Sequence, residues 1–177
     1  NASVDWYHYF GDFQANLLVE GFYTKLSDPF VLTPPVKDPD GSAYLIRTRI
    51  NGSGAKVYGG TLEGKVAYKD KVQLQAGLTL QRSIYDSPEE WSADEEHLSE
   101  KERYSDKILR TPDVYGYFTA TYMPVKAFSI ALNGNYTGRM YVPHLLSEVN
   151  GEADVLVKSP DFFELGTKIA YDFDFQG

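Results

Sequence analysis

The ten residues 72–81, VQLQAGLTLQ, alternate without a slip. Val72, Leu74, Ala76, Leu78 and Leu80 share one parity, and Gln73, Gln75, Gly77, Thr79 and Gln81 share the other. Successive side chains of a strand point to opposite faces, so this stretch predicts a strand with one aliphatic and one polar face. Two settings suit it. A soluble sandwich would pack the aliphatics in a core and wet the glutamines. A membrane barrel would turn the aliphatics to lipid and the glutamines to a hydrated lumen.

The same two-residue period recurs outward from it. In residues 15–25, Ala15, Leu17, Val19, Gly21 and Tyr23 oppose Asn16, Glu20 and Thr24, with Leu18 and Phe22 blurring the polar side. In 61–69, Leu62, Val66 and Tyr68 oppose Thr61, Glu63, Lys65 and Lys69. In 125–140, Phe128, Ile130, Leu132, Tyr136 and Met140 oppose Ser129, Asn133, Asn135, Thr137 and Arg139. In 163–175, Phe163, Leu165, Ile169, Tyr171, Phe173 and Phe175 oppose Glu164, Lys168, Asp172 and Asp174. Helical periodicity is almost absent, so the pattern predicts an all-β fold of antiparallel, up-and-down strands.

The connections alternate in length. Short turns are expected at 11–14, 69–71 and 123–125, and long loops at 33–42, 86–109 and 141–160. In an up-and-down sheet this rhythm gathers every short turn at one end and every long loop at the other, as in outer-membrane barrels. Phe10, Phe13, Tyr68, Tyr122, Phe128, Tyr171, Phe173 and Phe175 crowd the short-turn end, where amphipathic rings suit a bilayer interface.

Composition excludes several classes. No run approaches the ~20 apolar residues of a membrane helix, which leaves a barrel open. The 177 residues contain no cysteine, removing disulfides and thiolate chemistry, a composition that fits a reducing cytosol and an outer membrane equally. A net charge of -8 argues against a nucleic-acid partner. The opening Asn1-Ala2 reads as a cloning scar, with the strand-forming chain at 3–177.

The segment 49–86, RINGSGAKVYGGTLEGKVAYKDKVQLQAGLTLQRSIYD, resembles the TonB-dependent outer-membrane receptors. Asn51, Gly54, Ala55, Gly59 and Glu63 stand where that family carries its Asn, small-residue and acidic positions. Thr61 departs from it, since the acidic residue is expected there. ILRTPDVYGYFTATYMPVKAFSIALNGNYTGRMY, residues 108–141, is similar to the family's next hairpin, with Arg110 and Pro112 as its Arg-x-Pro opening. FFELGTKIAYDFDF, residues 162–175, resembles its penultimate strand.

The resemblance implies a partial outer-membrane β-barrel, about seven strands from the C-terminal part of a twenty-two-stranded one. The plug domain, the energy-coupling box and the closing strand would lie outside it. It implies residence in the outer membrane of a Gram-negative bacterium, with lipid as solvent. It also implies uptake of a scarce nutrient (an iron complex, a corrinoid or a glycan), coupled to the TonB system through the absent plug. No catalytic, cofactor or metal residue is expected. Candidate ligand contacts in the long loops are Trp91, Arg103, Tyr104, Tyr141 and His144. Gln73, Gln75, Asn133, Asn135 and Arg139 are expected to line the lumen. The open sheet edges of such a piece invite self-association.

Other constellations carry less. The acidic stretch 86–106 has no regular oxygen spacing for calcium and reads as a solvated external loop with a short helix around 93–102. His8, His97 and His144 lie too far apart for a metal set. The glycines of NGSGAKVYGG precede no helix, so they predict a bulge or bend rather than a phosphate cradle. The two N-x-S/T tripeptides, at Asn51 and Asn135, carry no weight. The rivals are a lipocalin-like soluble barrel binding a small apolar ligand, with Leu74, Leu78, Ile130 and Leu132 turned inward, and a glycosidase using Glu20 and Glu63.

Overall fold

A computed structural model describes residues 1–41 and 44–173. Fourteen strands and two single-turn helices are described. The main sheet is built from β1 (Ala2–Phe10), β2 (Phe13–Leu26), β7 (Ala55–Tyr68), β8 (Val72–Glu90), β10 (Val114–Val125), β11 (Phe128–Thr137) and β14 (Phe162–Tyr171), hydrogen-bonded in that order. Every pairing is antiparallel, so the sheet is an up-and-down meander. Among the described residues the path ends at β1 and at β14, and no barrel is closed.

The remaining strands sit in the long connections. Between β2 and β7, β3 (Phe30–Leu32) pairs with β6 (Arg49–Asn51), and β4 (Val36–Lys37) pairs with β5 (Leu45–Ile46). After β8 come helix α1 (Glu100–Arg103) and β9 (Tyr104–Lys107), which returns along β8. Between β11 and β14, β12 (Tyr141–His144) and β13 (Val155–Lys158) form a hairpin around helix α2 (Ser147–Asn150). The long loops expected at 33–42, 86–109 and 141–160 are therefore hairpin extensions with strands of their own. Residues 86–90 belong to β8, and the helix expected around 93–102 is confined to one turn at 100–103.

The short turns lie at one end. Gly11, with φ +60°, opens a two-residue turn between Phe10 and Phe13, matching the glycine-first requirement of a II′ hairpin. Residues 69–71 link β7 to β8 as expected. The third turn is at 126–127 rather than 123–125, because the register shifts between Tyr122 and Val125 and β10 runs further. Gly59 and Gly60 also depart from expectation. They lie in an unbroken ladder, and the bend falls at 52–54, where Gly54 adopts φ +103°. The Asp174 and Phe175 positions of the last alternation lie outside the described residues.

Register assigns the faces. Leu78 stands opposite Leu62 on β7 and Gly116 on β10; Val19 opposes Leu62, and Val4 opposes Val19. On the other side Leu132 opposes Ala120 and Thr167, and Ile130 opposes Ile169. One apolar face therefore runs across all seven strands. Rings border it at the short-turn end: Phe10, Phe13, Tyr68, Tyr122, Phe128 and Tyr171. A second row that the sequence pattern had not signalled, Tyr23, Tyr58, Tyr136 and Phe163, borders it at the loop end. Between the rows this face carries no Asp, Glu, Lys or Arg. Tyr23 pairs with Tyr58 and Phe13 with Tyr68, so ten residues separate the rows on each of these strands. At ~3.3 Å per residue and a tilt of ~40°, that is a band about 25 Å tall.

On β8 the polar parity is the more covered one and the aliphatic parity the more exposed. On β8, Leu74, Leu78 and Leu80 are 49%, 45% and 55% exposed, whereas Thr79 and Ser83 are buried at 7% each. Besides Pro34 and Pro35 in the first long connection, Ala55 and Trp91 are the only aliphatic or aromatic side chains buried among the described residues. A monomer in water rarely leaves so large an apolar surface uncovered. Ring stacking organises it instead: Trp6, His8, Phe10, Phe13 and Tyr68 follow one another at centroid distances of 5.3, 5.7, 5.4 and 4.7 Å. Gly134 lies between Phe118 and Phe163, whose rings stack at 6.1 Å, and a Cβ there would come within 2.2 Å of the Phe118 ring. Only glycine lets the two rings close over the strand.

Candidate functional site

Chemistry-bearing side chains gather in two places, on the polar face and at the long-loop end. On the polar face, Glu63 of β7 accepts hydrogen bonds from Tyr117 Oη (2.5 Å) and Gln75 Nε2 (2.8 Å), and Gln75 Nε2 also reaches Tyr117 Oη at 3.0 Å. Thr61 and Thr79 hydroxyls are 2.9 Å apart, and Thr119 donates to Asn133 Oδ1 at 3.1 Å. These three separate groups place lateral hydrogen bonds across each seam from β7 to β11. Gln73, Gln75, Asn133 and Asn135 share this polar parity. Glu63, one of the paired acids of the glycosidase rival, is engaged by Tyr117 and Gln75.

At the loop end a buried polar clasp joins two loops about sixty residues apart in sequence. Ser92, Asp94 and Asp154 are 0%, 4% and 3% exposed. Ser92 Oγ donates to Asp154 Oδ2 (2.7 Å), and the Asp154 N–H donates to Asp94 Oδ2 (3.0 Å). Asp154 Oδ1 accepts the N–H groups of Leu146 and Ser147 at 2.7 and 2.9 Å. Asp94 Oδ1 accepts the His97 N–H at 3.1 Å and stands 2.9 Å from His97 Nδ1. Buried carboxylates are tolerated because each oxygen meets donors. The Lys37–Glu148 ion pair (3.1 Å) ties the β4–β5 arm to the same platform.

These contacts set the pH behaviour of the clasp. Burial pushes both Asp94 and Asp154 upward, but the hydrogen bonds they accept outweigh it and hold both below the usual carboxylate range. Their contribution is present above about pH 4 and is lost as pH falls through the depressed folded values. The hydrogen bond to Asp94 raises His97, so its contribution is complete below about pH 6.5 and is lost as pH rises through the folded value. Loop protection in hydrogen exchange, corrected for intrinsic rates, should therefore be greatest between about pH 4 and pH 6.5. The His97 ring should titrate above about 6.5 by NMR, and a midpoint below that would refute the coupling.

The five candidate ligand residues separate. Trp91 is 8% exposed, and its Nε1 donates to the Glu102 carbonyl at 2.8 Å. Arg103 Nη1 is held by Glu90 (2.7 Å) and Glu95 (3.2 Å). Both serve the fold of their own loop. Tyr104 and Tyr141 come together at an open cleft of about 750 Å³, with Lys107, Lys101, Pro88 and Leu156. Two ammonium groups lie over the Tyr141 ring, Lys107 at 4.3 Å and Lys158 at 5.2 Å from its centroid. The hydrogen bond with Lys107 and both positive charges lower the Tyr141 phenol. His144 is exposed on β12 opposite Val155, apart from that cleft.

Arg139 departs from its expected lumen position. β11 ends at Thr137, and Arg139 lines a cleft of about 520 Å³ with Arg82, Lys107, Val114, Tyr136 and Lys158. Ser92 and Asp94 fall in the stretch 86–106 expected to be a solvated loop and are buried instead, and Asp154 was not singled out, because short polar residues in loops carry no periodic signal. No group of three or more His, Asp or Glu side chains placed to hold a metal occurs among the described residues. Compared with protein families, curated proteins and solved structures, the chain matches none.

Proposed function

We propose that this chain is a section of a large outer-membrane barrel of the TonB-dependent receptor kind, contributing loops to the uptake of a scarce nutrient. One observation carries the reading: the sheet is inside-out for water, with a charge-free apolar face exposed between two rows of rings and a hydrogen-bonded polar face opposite. A band about 25 Å tall suits a lipid-facing barrel wall. The lateral network of Glu63, Gln75 and Tyr117 suits a hydrated lumen. The loop platform with Tyr104 and Tyr141 would meet the nutrient, and transport would need the TonB system acting through a plug domain. The open edges of β1 and β14 would be completed by neighbouring strands, or by a second copy in isolation. A lipocalin-like carrier would need Leu74, Leu78, Ile130 and Leu132 on the covered side, and on β8 the leucines lie on the exposed one.

The test is a labelling scan in cells. Single cysteines replace Gln73, Leu74, Gln75 and Leu78, followed by a water-soluble thiol reagent and membrane fractionation. Labelling at 73 and 75, protection at 74 and 78, and retention in the outer membrane are expected. Recovery of the protein in the soluble fraction would sink the reading.

A further inference from the structure

Asparagine followed by glycine occurs three times, at Asn51, Asn133 and Asn150. Such a pair can modify itself, because the nitrogen of the second residue can attack the side-chain amide of the first, and glycine brings no Cβ into the path. The fold holds the three nitrogens differently. Gly134 is buried within β11, paired to Phe118 on β10 and to Leu165 on β14, so both ladders oppose its movement. Gly52 is also buried. Its N–H donates to the Pro29 carbonyl at 2.8 Å, and a Cβ there would meet Val31 at 2.9 Å.

The third site is open. Asn150, Gly151 and Glu152 are exposed, and a Cβ on Gly151 would meet nothing within 4 Å. The Gly151 N–H donates to the Ser147 carbonyl at 3.2 Å, closing the single turn of α2. One helical turn makes too few hydrogen bonds to offset its ordering, so it frays readily and frees that nitrogen. The Asn150 side chain is folded back along the same peptide, its Oδ1 accepting the Glu152 N–H at 3.2 Å. That hydrogen bond polarises the carbonyl under attack and meets the negative charge that develops on its oxygen. Nucleophile and electrophile are neighbours in one turn, so little further ordering is required.

We propose that Asn150 is a self-modifying site, its side-chain amide converting spontaneously to a carboxylate, and that the product loosens the Asp154 clasp. The Gly151 nitrogen forms a bond to Asn150 Cγ, its proton passes to a solvent base, and the Cγ–Nδ2 bond breaks to release ammonia. Water then opens the five-membered imide at either carbonyl, leaving aspartate or isoaspartate. In isoaspartate the former side-chain carbonyl carries the backbone, which gains a methylene, and the Glu152 N–H loses its acceptor. The change falls inside the loop that Asp154 Oδ1 closes through the N–H groups of Leu146 and Ser147. It requires nothing of the solvent that meets the apolar face, and so stands apart from the membrane reading.

The experiment ages the purified protein at mildly alkaline pH and follows each site by peptide mass spectrometry, with electron-based fragmentation to tell isoaspartate from aspartate. Conversion at Asn150 should run on the order of one hundredfold faster than at Asn133 and on the order of tenfold faster than at Asn51, following the opening each nitrogen requires. In guanidinium chloride the three rates should converge. Asn150→Gln should abolish the early one-dalton mass gain, and Asn51→Gln should leave it in place. Comparable rates at the three sites in the folded protein overturn the proposal. So does a mass gain that survives Asn150→Gln, or a ranking of sites that persists unchanged in denaturant. Hydrogen exchange on the aged protein reads the second half. Amides of residues 145–154 should exchange on the order of tenfold faster in the isoaspartyl form, and unchanged exchange there overturns the link to the clasp.

Discussion

On the proposed outer-membrane reading, arginine at Leu78 is expected to lower folding stability in a phospholipid bilayer by about 2–4 kcal/mol, the cost of a cation on a lipid-facing wall near mid-membrane. Leu78 lies between the two rows of rings, opposite Leu62 and Gly116, and no acidic side chain shares its face there. The guanidinium would have neither water nor a counter-charge. Gln75→Arg is the matched substitution on the other face. There the Glu63 carboxylate, now 2.8 Å from the Gln75 amide, would receive the new cation, and the change should stay within about 0.5 kcal/mol. Urea-driven unfolding of both variants in lipid vesicles measures the difference. Equal effects at the two positions would mean that the faces meet the same solvent, and the barrel reading would fall.

Asp154→Ala should have the next largest effect, and a local one. Its carboxylate accepts from Ser92, Leu146 and Ser147, and a methyl group would leave all three donors without that acceptor. A buried donor left unpaired costs about 1–3 kcal/mol, and the three are not additive because a loosened loop can admit water. The expected result is a loss of about 3 kcal/mol in the local opening free energy of residues 91–98 and 145–154 together. Amide exchange in both loops should accelerate about a hundredfold. Exchange in β8, β10 and β11 should hold, because their ladders do not depend on the clasp. Acceleration confined to residues around 154, with 91–98 unchanged, would show that the two loops are not coupled. Asp154→Asn keeps one carbonyl acceptor and should fall between the two.

These expectations draw on different depths of the molecule. The order of the main strands, their faces and the ring row at the short-turn end were legible in the residues themselves. A two-residue period is local, and β2, β7, β8, β11 and β14 each repeat it. The third turn was misplaced because a β-bulge adds residues without altering composition. The long connections hid strands because pieces such as Val36–Lys37 or Leu45–Ile46 are too short to show a period. Trp91 and Arg103 looked available because aromatic and cationic side chains in a loop suit ligand contact. Their engagement by Glu102, Glu90 and Glu95 depends on how the loop folds back through α1 and β9.

By itself the sequence determined that this is an antiparallel meander with one charge-free apolar face and one polar face, since side-chain direction in a strand follows parity alone. Only the tertiary structure decided which residues of the long loops meet. Ser92 and Asp154, like Arg82 and Lys158, are far apart along the chain, and no spacing rule links them. Register between strands and the fold-back of two hairpins bring the first pair into a buried clasp and the second to the rim of one cleft.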